Sequence, residues 1–294
     1  MQKTLADQFD LSILLVTYNH ERYIDRAMES ILAQELPADF RSIEIVVADD
    51  ASQDSTRELI RRHEGRDPRF TFIHLPSDQN QGITRNYQRG FEACRGRYVA
   101  VLEGDDYWAS PLKLSKQLAV LEAQPDCVLC STNYTMLQEQ SGAKALRVTS
   151  TRGWRDVSVP ELIADNLIGN FSTCVYRREV LAHLPARLFD MRSYDWIINI
   201  CVGTWGRIVF LHEPLSVYRI HASGAWSGME GRAKIQSQLD ILPAYDELTD
   251  RRYQGEFNAL AERLKCDLVA LTKPKGRLSR SWKKIKTVVR GPAR

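Results

Sequence analysis

The chain has 294 residues, of which 44% are hydrophobic, 26% charged and 9% aromatic, and its formal net charge is +3. That length and composition fit one large globular domain or two intimate ones, and exclude collagen-like, disordered and disulfide-scaffold classes. No apolar run approaches the roughly 20 residues of a membrane-spanning helix, and the polar stretch from Met1 to Asp10 lacks the apolar core of a signal peptide. Six cysteines (Cys94, Cys127, Cys130, Cys174, Cys201 and Cys266) follow no regular spacing, which fits a reducing cytoplasm. The charge is unevenly placed. Nine of the 40 basic residues follow Thr272 with no acidic residue among them, leaving 31 basic against 37 acidic side chains in residues 1–272. An acidic globule therefore carries a basic tail, and the two need separate explanations.

Ser12 to Thr17 is a short β-rich apolar run, as expected of a strand covered on both faces. Ile24, Ala27, Met28, Ile31 and Leu32 then recur at helical spacing. A second strand (Ile43 to Ala48), a second helix (Ser55 to His63), a third strand (Arg69 to Leu75), a third helix (Ile83 to Cys94) and a fourth strand (Arg97 to Leu102) follow. The strand ends recur at about the 30-residue length of a βαβ unit. This predicts parallel, right-handed connections with helices on both faces of the sheet. Beyond Trp108 the alternation loosens. The pattern predicts a helix from Pro111 to Glu122, a strand from Cys127 to Tyr134, a polar mobile loop from Gln138 to Arg152, and a short helix from Pro160 to Asn166. A strand from Ser172 to Tyr176, a helix from Tyr194 to Cys201, and strands from Arg207 to Leu211 and Leu215 to Ile220 come next. Glu230 to Leu271 reads as two helices parted near Leu248 to Arg252.

The polar residues are not scattered over this pattern. Thr17-Tyr18-Asn19, Asp49-Asp50 and Glu103-Gly104-Asp105-Asp106 each follow a strand directly, and in an open parallel sheet the carboxyl ends of the strands border the ligand crevice. Asp49 and Asp50 are either turn and cap residues, with Asp54 or Ser55 capping the next helix, or acceptors for the donor groups of a base and ribose. The carboxylates of Glu103, Asp105 and Asp106 repel one another unless a cation compensates them. Hard divalent ions such as Mg²⁺ or Mn²⁺ prefer such oxygens and complete their shell with water and substrate phosphate. Gly104 leaves room for close backbone approach. His221, after an apolar strand, is either structural or a ligand to metal or phosphate. Cys127 and Cys130 form a C-x-x-C with no second Cys or His pair nearby, which is not a zinc site. Neither glycine-rich phosphate loop pattern is present, against a nicotinamide dehydrogenase and a P-loop NTPase.

Val16-Thr17-Tyr18-Asn19, Val47-Ala48-Asp49-Asp50-Ala51-Ser52 with Asp54, Asn80-Gln81-Gly82 with Arg85-Asn86, and Leu102-Glu103-Gly104-Asp105-Asp106-Tyr107-Trp108 together resemble the family 2 glycosyltransferases. The resemblance spans residues 11–108, with weaker matches at Ser193-Tyr194-Asp195-Trp196 and from Tyr218-Arg219-Ile220-His221 to Trp226-Ser227. It implies an α/β GT-A fold: a Rossmann-like sandwich with a mostly parallel central sheet, helices on both faces, and C-terminal helices. The implied activity is inverting transfer of a sugar from a nucleotide-diphosphate donor, a UDP-sugar by expectation, with a divalent metal (Mn²⁺ or Mg²⁺). By position, Thr17, Tyr18 and Asn19 would line the base and ribose pocket, Asp49 and Asp50 would contact the nucleotide with Asp50 the main acceptor for the base, and Arg85 would lie near it. Glu103 stands where the family has the first Asp of its Asp-x-Asp motif, and its extra methylene leaves the division of labour among the three carboxylates open. The reading taken here gives the metal to Asp105 and Asp106 with His221, and the ribose or a bound water to Glu103, with Asp105 also near the nucleotide. Asp195 stands at the place of the general base, and Trp226 and Ser227 at the segment closing over the diphosphate.

The implied organisation is a nucleotide-sugar-binding half (1–108), an acceptor-binding and catalytic half of the same domain (109–228), C-terminal helices (229–272) and a basic amphipathic tail (273–294). In that tail Leu278, Trp282, Ile285 and Val289 fall on one helical face. Such a helix suits either an anionic membrane surface on the inner face of the plasma membrane or plain solvation, and no motif points to nucleic acid. The acceptor expected is a saccharide or lipid-linked glycan of surface polysaccharide synthesis. Two rivals remain: a non-catalytic nucleotide-sugar or membrane-binding module, and a sugar-nucleotide pyrophosphorylase. The second would need a Gly-rich, Arg-containing loop where Thr17-Tyr18-Asn19-His20 stands.

Overall fold

A computed structural model describes residues 9–191, 195–222, 224 and 229–272; Ser193, Tyr194, Trp226, Ser227 and the basic tail lie outside the described residues. The first half alternates as β1 (Phe9–Thr17), α1 (Ile24–Leu32), β2 (Ile43–Asp49), α2 (Thr56–Arg61), β3 (Phe70–Leu75), α3 (Ile83–Ala93) and β4 (Gly96–Glu103). Then come β5 (Tyr107–Trp108), α4 (Lys113–Ala123), β6 (Cys127–Gln138), β7 (Lys144–Leu146), β8 (Trp154–Asp156), α5 (Val159–Ala164), β9 (Val175–Arg177) and α6 (Arg178–Leu181). The last described elements are α7 (Asp195–Gly203), β10 (Arg207–Ile220), α8 (Gly231–Leu248) and α9 (Gln254–Thr272). None of the described helices is long and apolar enough to cross a membrane.

The period-2 alternation of the strands sorts their apolar side chains onto two faces. Leu11, Ile13 and Leu15 of β1 pack with Ile24, Ala27, Met28 and Ile31 of α1 and with Leu114, Leu118 and Leu121 of α4. Leu14 and Val16 of the same strand face the opposite layer, with Tyr87 and Phe91 of α3 and the apolar sides of α5, α7, α8 and α9. Among the described residues ten strands form one sheet in the order β3-β2-β1-β4-β9-β6-β10-β5, with β7 and β8 on its margins. The long pairings β1–β2, β1–β4, β2–β3 and β6–β10 are parallel, while β9 runs antiparallel between β4 and β6. The chain leaves β1 toward β2 and β3 and returns to β4 on β1's other side. That reversal makes a topological switch point, where such sheets hold ligands.

Three segments differ from the pattern read in the sequence. Ser172 to Tyr176 is not one strand: Phe171–Thr173 is a single 3₁₀ turn that precedes β9. Ser172 is drawn into that bend by the acidic turn after β4, where its hydroxyl donates to Asp106 at 2.7 Å and accepts from the Glu103 N–H at 3.1 Å. The two strands expected at 207–211 and 215–220 are one, β10, which shifts register on β6 around Pro214 instead of breaking. The expected loop from 138 to 152 carries the short strand β7.

At the end of the sheet away from the cleft, Glu44 is fully buried and accepts from the Ser12 hydroxyl and the Arg95 N–H, both at 2.6 Å. Gly96 donates to the Ser12 hydroxyl at 2.8 Å, and a Cβ on Gly96 would lie 2.3 Å from the Ser12 nitrogen. That neighbour is backbone and cannot swing aside. Gly96→Ala is expected to cost about 1–3 kcal/mol, read as a lower urea midpoint at unchanged slope; an unshifted midpoint would contradict this packing.

Candidate active site

Thr17 ends β1 fully buried, and the turn after it passes through Asn19 in the left-handed region at φ 54°. The turn after β2 does the same at Ala51, φ 62°. Such conformations cost a non-glycine residue about 1–2 kcal/mol, and here the two turns brace one another. The Asn19 N–H donates to the Ser52 hydroxyl at 2.9 Å, and the Gln53 N–H donates to the Asn19 side-chain oxygen at 2.8 Å. Gly104 permits the next layer, since a Cβ there would meet Thr17 Oγ1 at 2.7 Å and His20 Nδ1 at 2.8 Å. The acidic turn thereby packs directly on the Thr17–His20 turn.

These strand ends open on a cleft of about 640 Å³. Thr17, Tyr18, His20, Asp50, Glu103 and Asp105 line it. Tyr134, Arg147, Asn166, Asp195 and Arg219 line it too, with Gln238, Ile241 and Tyr245 of α8. Asp50 uses both carboxylate oxygens to hold the next loop, accepting from the Gln81 N–H at 2.8 Å and the Gly82 N–H at 2.9 Å. Asp195 stands at the start of α7 and accepts from the Asn166 amide at 2.8 Å. Burial raises its pKa against that hydrogen bond.

The acidic turn divides its three carboxylates. Glu103 accepts from the buried Tyr87 hydroxyl at 2.9 Å; burial first, and the Asp105 charge second, push its pKa up to about 8. The Asp105 carboxylate lies 2.9 Å from His221 Nε2 and 3.9 Å from His20 Nε2. Burial works to raise it, but the His221 hydrogen bond and the two nearby imidazoles hold it below the ordinary carboxylate range. Burial lowers the pKa of His20, against the pull of Asp105.

Several expected site residues do not reach the cleft wall, and each departure has a cause. Asp106 is fully buried and saturated, accepting from the Ser172 hydroxyl at 2.7 Å and the Arg219 N–H at 2.9 Å. Burial, then the charges of Asp105 and Glu103, raise its pKa well above the carboxylate range; in place of the metal position expected of it, Asp106 sits behind the cleft wall as an internal brace. Asp49 is turned onto Ser52 and the Arg57 guanidinium (Nε to Oδ2, 2.5 Å) and caps its own turn. Asn19 spends its side chain on the Gln53 N–H. Arg85 points to solvent and pairs with Asp190 at 2.5 Å. His20, Tyr87, Asn166 and Arg219 are contributors the sequence did not single out. Only His20, three residues beyond Thr17 in a tight turn, left a signal there. Among the described residues no three His, Cys, Asp or Glu side chains are grouped to hold a metal. What the cleft offers a hard cation is the Asp105 carboxylate, an oxygen donor of the kind Mn²⁺ or Mg²⁺ prefers; its expected partner His221 is buried and meets Asp105 at 2.9 Å without lining the cleft.

The switch-point cleft, walled by acids and closed by helices from the second half, defines a ligand-binding α/β domain of the GT-A kind. The chain belongs to Glycosyl transferase family 2, whose sequence profile matches residues 12–184. It is similar to an uncharacterised glycosyltransferase of Nostoc sp., 31% identical over 250 residues that cover 80% of this chain and 74% of the relative. Its fold is similar to that of Staphylococcus aureus TarS 1–349 in complex with UDP-GlcNAc (TM-score 0.61, 18% identity, covering 79% of this chain and 65% of that one). It is also similar to the mannosyltransferase PcManGT of Pyrobaculum calidifontis in complex with GDP-Man and Mn²⁺ (TM-score 0.60, 17% identity, covering 92% and 76%). The chain spans 60% of the length of the curated relatives it matches at 35% identity.

The division of the acidic turn separates two effects. Asp106→Ala is expected to lower stability by about 1–3 kcal/mol, the cost of orphaning buried donors, whereas Asp105→Asn is expected to leave the melting temperature near wild type and weaken Mn²⁺ binding, measured by calorimetry. Equal loss of stability in both would reject the assignment.

Proposed function

We propose that the chain is an inverting glycosyltransferase that moves a sugar from a nucleotide-diphosphate donor, a UDP-sugar by preference, to a hydroxyl of a glycan or lipid-linked acceptor. The observation that carries this reading is the cleft itself, in which the half-buried, Asn166-held Asp195 shares one cavity with Asp50, Glu103 and Asp105, whose carboxylate pairs with the buried His221. Thr17, Tyr18 and Asp50 receive the nucleotide at the ends of β1 and β2. Glu103, fixed by Tyr87, faces the ribose. Asp105, with His221 behind it, would hold the divalent ion, which would offset negative charge on the diphosphate. Asp195 accepts the proton of the acceptor hydroxyl as its oxygen bonds to the anomeric carbon and the bond to the diphosphate oxygen breaks, inverting that centre. The nucleotide complexes of the structural neighbours support the donor class, and a Bacillus subtilis relative named as a putative teichuronic acid biosynthesis glycosyltransferase supports a role in surface polysaccharide.

A base must be unprotonated to act. Because burial raises the Asp195 pKa, kcat/KM should fall with decreasing pH at a higher pH than an ordinary carboxylate would give. Asp195→Asn is expected to lower kcat by about 10²–10⁴-fold while nucleotide affinity is kept, measured by product release and calorimetry on the same protein. A non-catalytic binding module would show no transfer before or after the substitution.

The basic segment 273–294, outside the described residues, completes the proposal by holding the enzyme at an anionic membrane surface near a lipid-linked acceptor. Replacing Lys283, Lys284 and Lys286 with Gln should weaken co-sedimentation with anionic vesicles by about 1 kcal/mol per charge, leaving neutral vesicles unaffected. Unchanged binding to anionic vesicles would remove the membrane role.

A further inference from the structure

Arg219 lines the cleft on β10. Its guanidinium lies over the Tyr23 ring at 5.2 Å and the Tyr107 ring at 4.9 Å. No carboxylate pairs with it among the described residues, and its buried Nε has no hydrogen-bond partner. The other arginine on the wall, Arg147, is neutralised by Asp165 at 2.6 Å. Ring faces attract a guanidinium through its flat side but give its in-plane N–H groups no strong acceptor. A buried donor left without a partner is costly to maintain unless an acceptor meets it, and an anion is the acceptor a guanidinium favours.

We propose that Arg219 binds the donor's diphosphate, as a cationic contact supplied by the chain itself near the Asp105–His221 pair; this rests on the donor reading above. Three observations locate the anion. The Arg219 N–H donates to Asp106, the residue after Asp105. Tyr23, under the guanidinium, lies 4.9 Å from the His221 ring. The Tyr23 hydroxyl is fastened to both oxygens of Glu139 at 2.9 and 3.0 Å, so the platform is fixed. A planar fork of donors matches the geometry of two phosphate oxygens, which an ammonium does not. As the glycosidic bond breaks, the departing diphosphate gains charge, and a fixed guanidinium favours that state over the intact donor.

The test is a binding ladder on the full chain with Mn²⁺, using UDP, UMP and uridine, GDP, GMP and guanosine, and inorganic pyrophosphate, for wild type, Arg219→Gln and Arg219→Lys. The link from residue 219 to Asp106 is through the main chain, so both variants keep it. Arg219→Gln is expected to weaken the bound nucleoside diphosphate and pyrophosphate by about tenfold or more, as loss of a charge-assisted bond implies, and to leave the nucleoside unchanged. Arg219→Lys should recover part of the loss, and kcat should fall further than donor KM rises. Undiminished diphosphate affinity in Arg219→Gln, or an equal loss for the nucleoside, would overturn the assignment. If the wild-type chain binds none of the diphosphates, the donor reading itself falls and this one with it.

Discussion

The carboxylate of Asp106 ties together three parts of the chain that would otherwise meet only at the cleft. It takes the Ser172 hydroxyl from the turn before β9 and the Arg219 N–H from β10. Ser172 in turn receives the Glu103 N–H, and its carbonyl accepts from the Trp108 indole and the Ser216 hydroxyl. In a water-excluded interior such a network is stable only if its members are satisfied, and then it holds one geometry. Here that geometry turns Glu103 and Asp105 outward into the cleft and presents Arg219 beside them. A carboxyl set back from the cleft wall thus decides which way the neighbouring carboxyls face.

Crowding three acids into one turn is costly, and the structure reduces the cost differently for each. Asp105 keeps its charge because imidazoles flank it, Glu103 shares the hydroxyl of Tyr87, and Asp106 is driven toward its neutral form by burial. The extra methylene of Glu103 has a use, since it brings the carboxyl to the Tyr87 hydroxyl in the layer beneath.

Much of this was legible in the sequence because the first hundred residues repeat a simple alternation whose strand ends carry the polar groups. The parallel order of β1 to β4 and the gathering of Thr17, Asp50, Glu103, Asp105 and Asp195 around one cleft follow from that pattern together with the family resemblance. What could not be read was direction within a polar run. Asp49 and Asp50 are adjacent, yet one turns to Arg57 and the other to the 81–82 loop; Asp105 and Asp106 part company in the same way. Adjacent residues on a strand or tight turn point to opposite sides, and which side is inward depends on partners such as Ser172 and Arg219 that lie 66 and 113 residues away. The same distance in sequence hid the 3₁₀ turn at Phe171–Thr173, whose shape is dictated by a partner rather than by its own propensity.

The switch point has a kinetic side as well. β4 reaches β1 across 84 residues, as in the Gly96–Ser12 contact, and β10 pairs with β6 across some 80, as in Arg207 with Cys127. Such non-local pairings close large loops before they return any contact energy, and they form slowly. Until they do, the acids and imidazoles of the cleft are strewn along an open chain and make no joint site. A ligand that needs them together therefore recognises the finished fold and not its precursors. Its binding then stabilises the folded chain alone, by an amount that grows with the logarithm of ligand concentration over Kd, so that the supply of substrate also sets the share of molecules that stand folded.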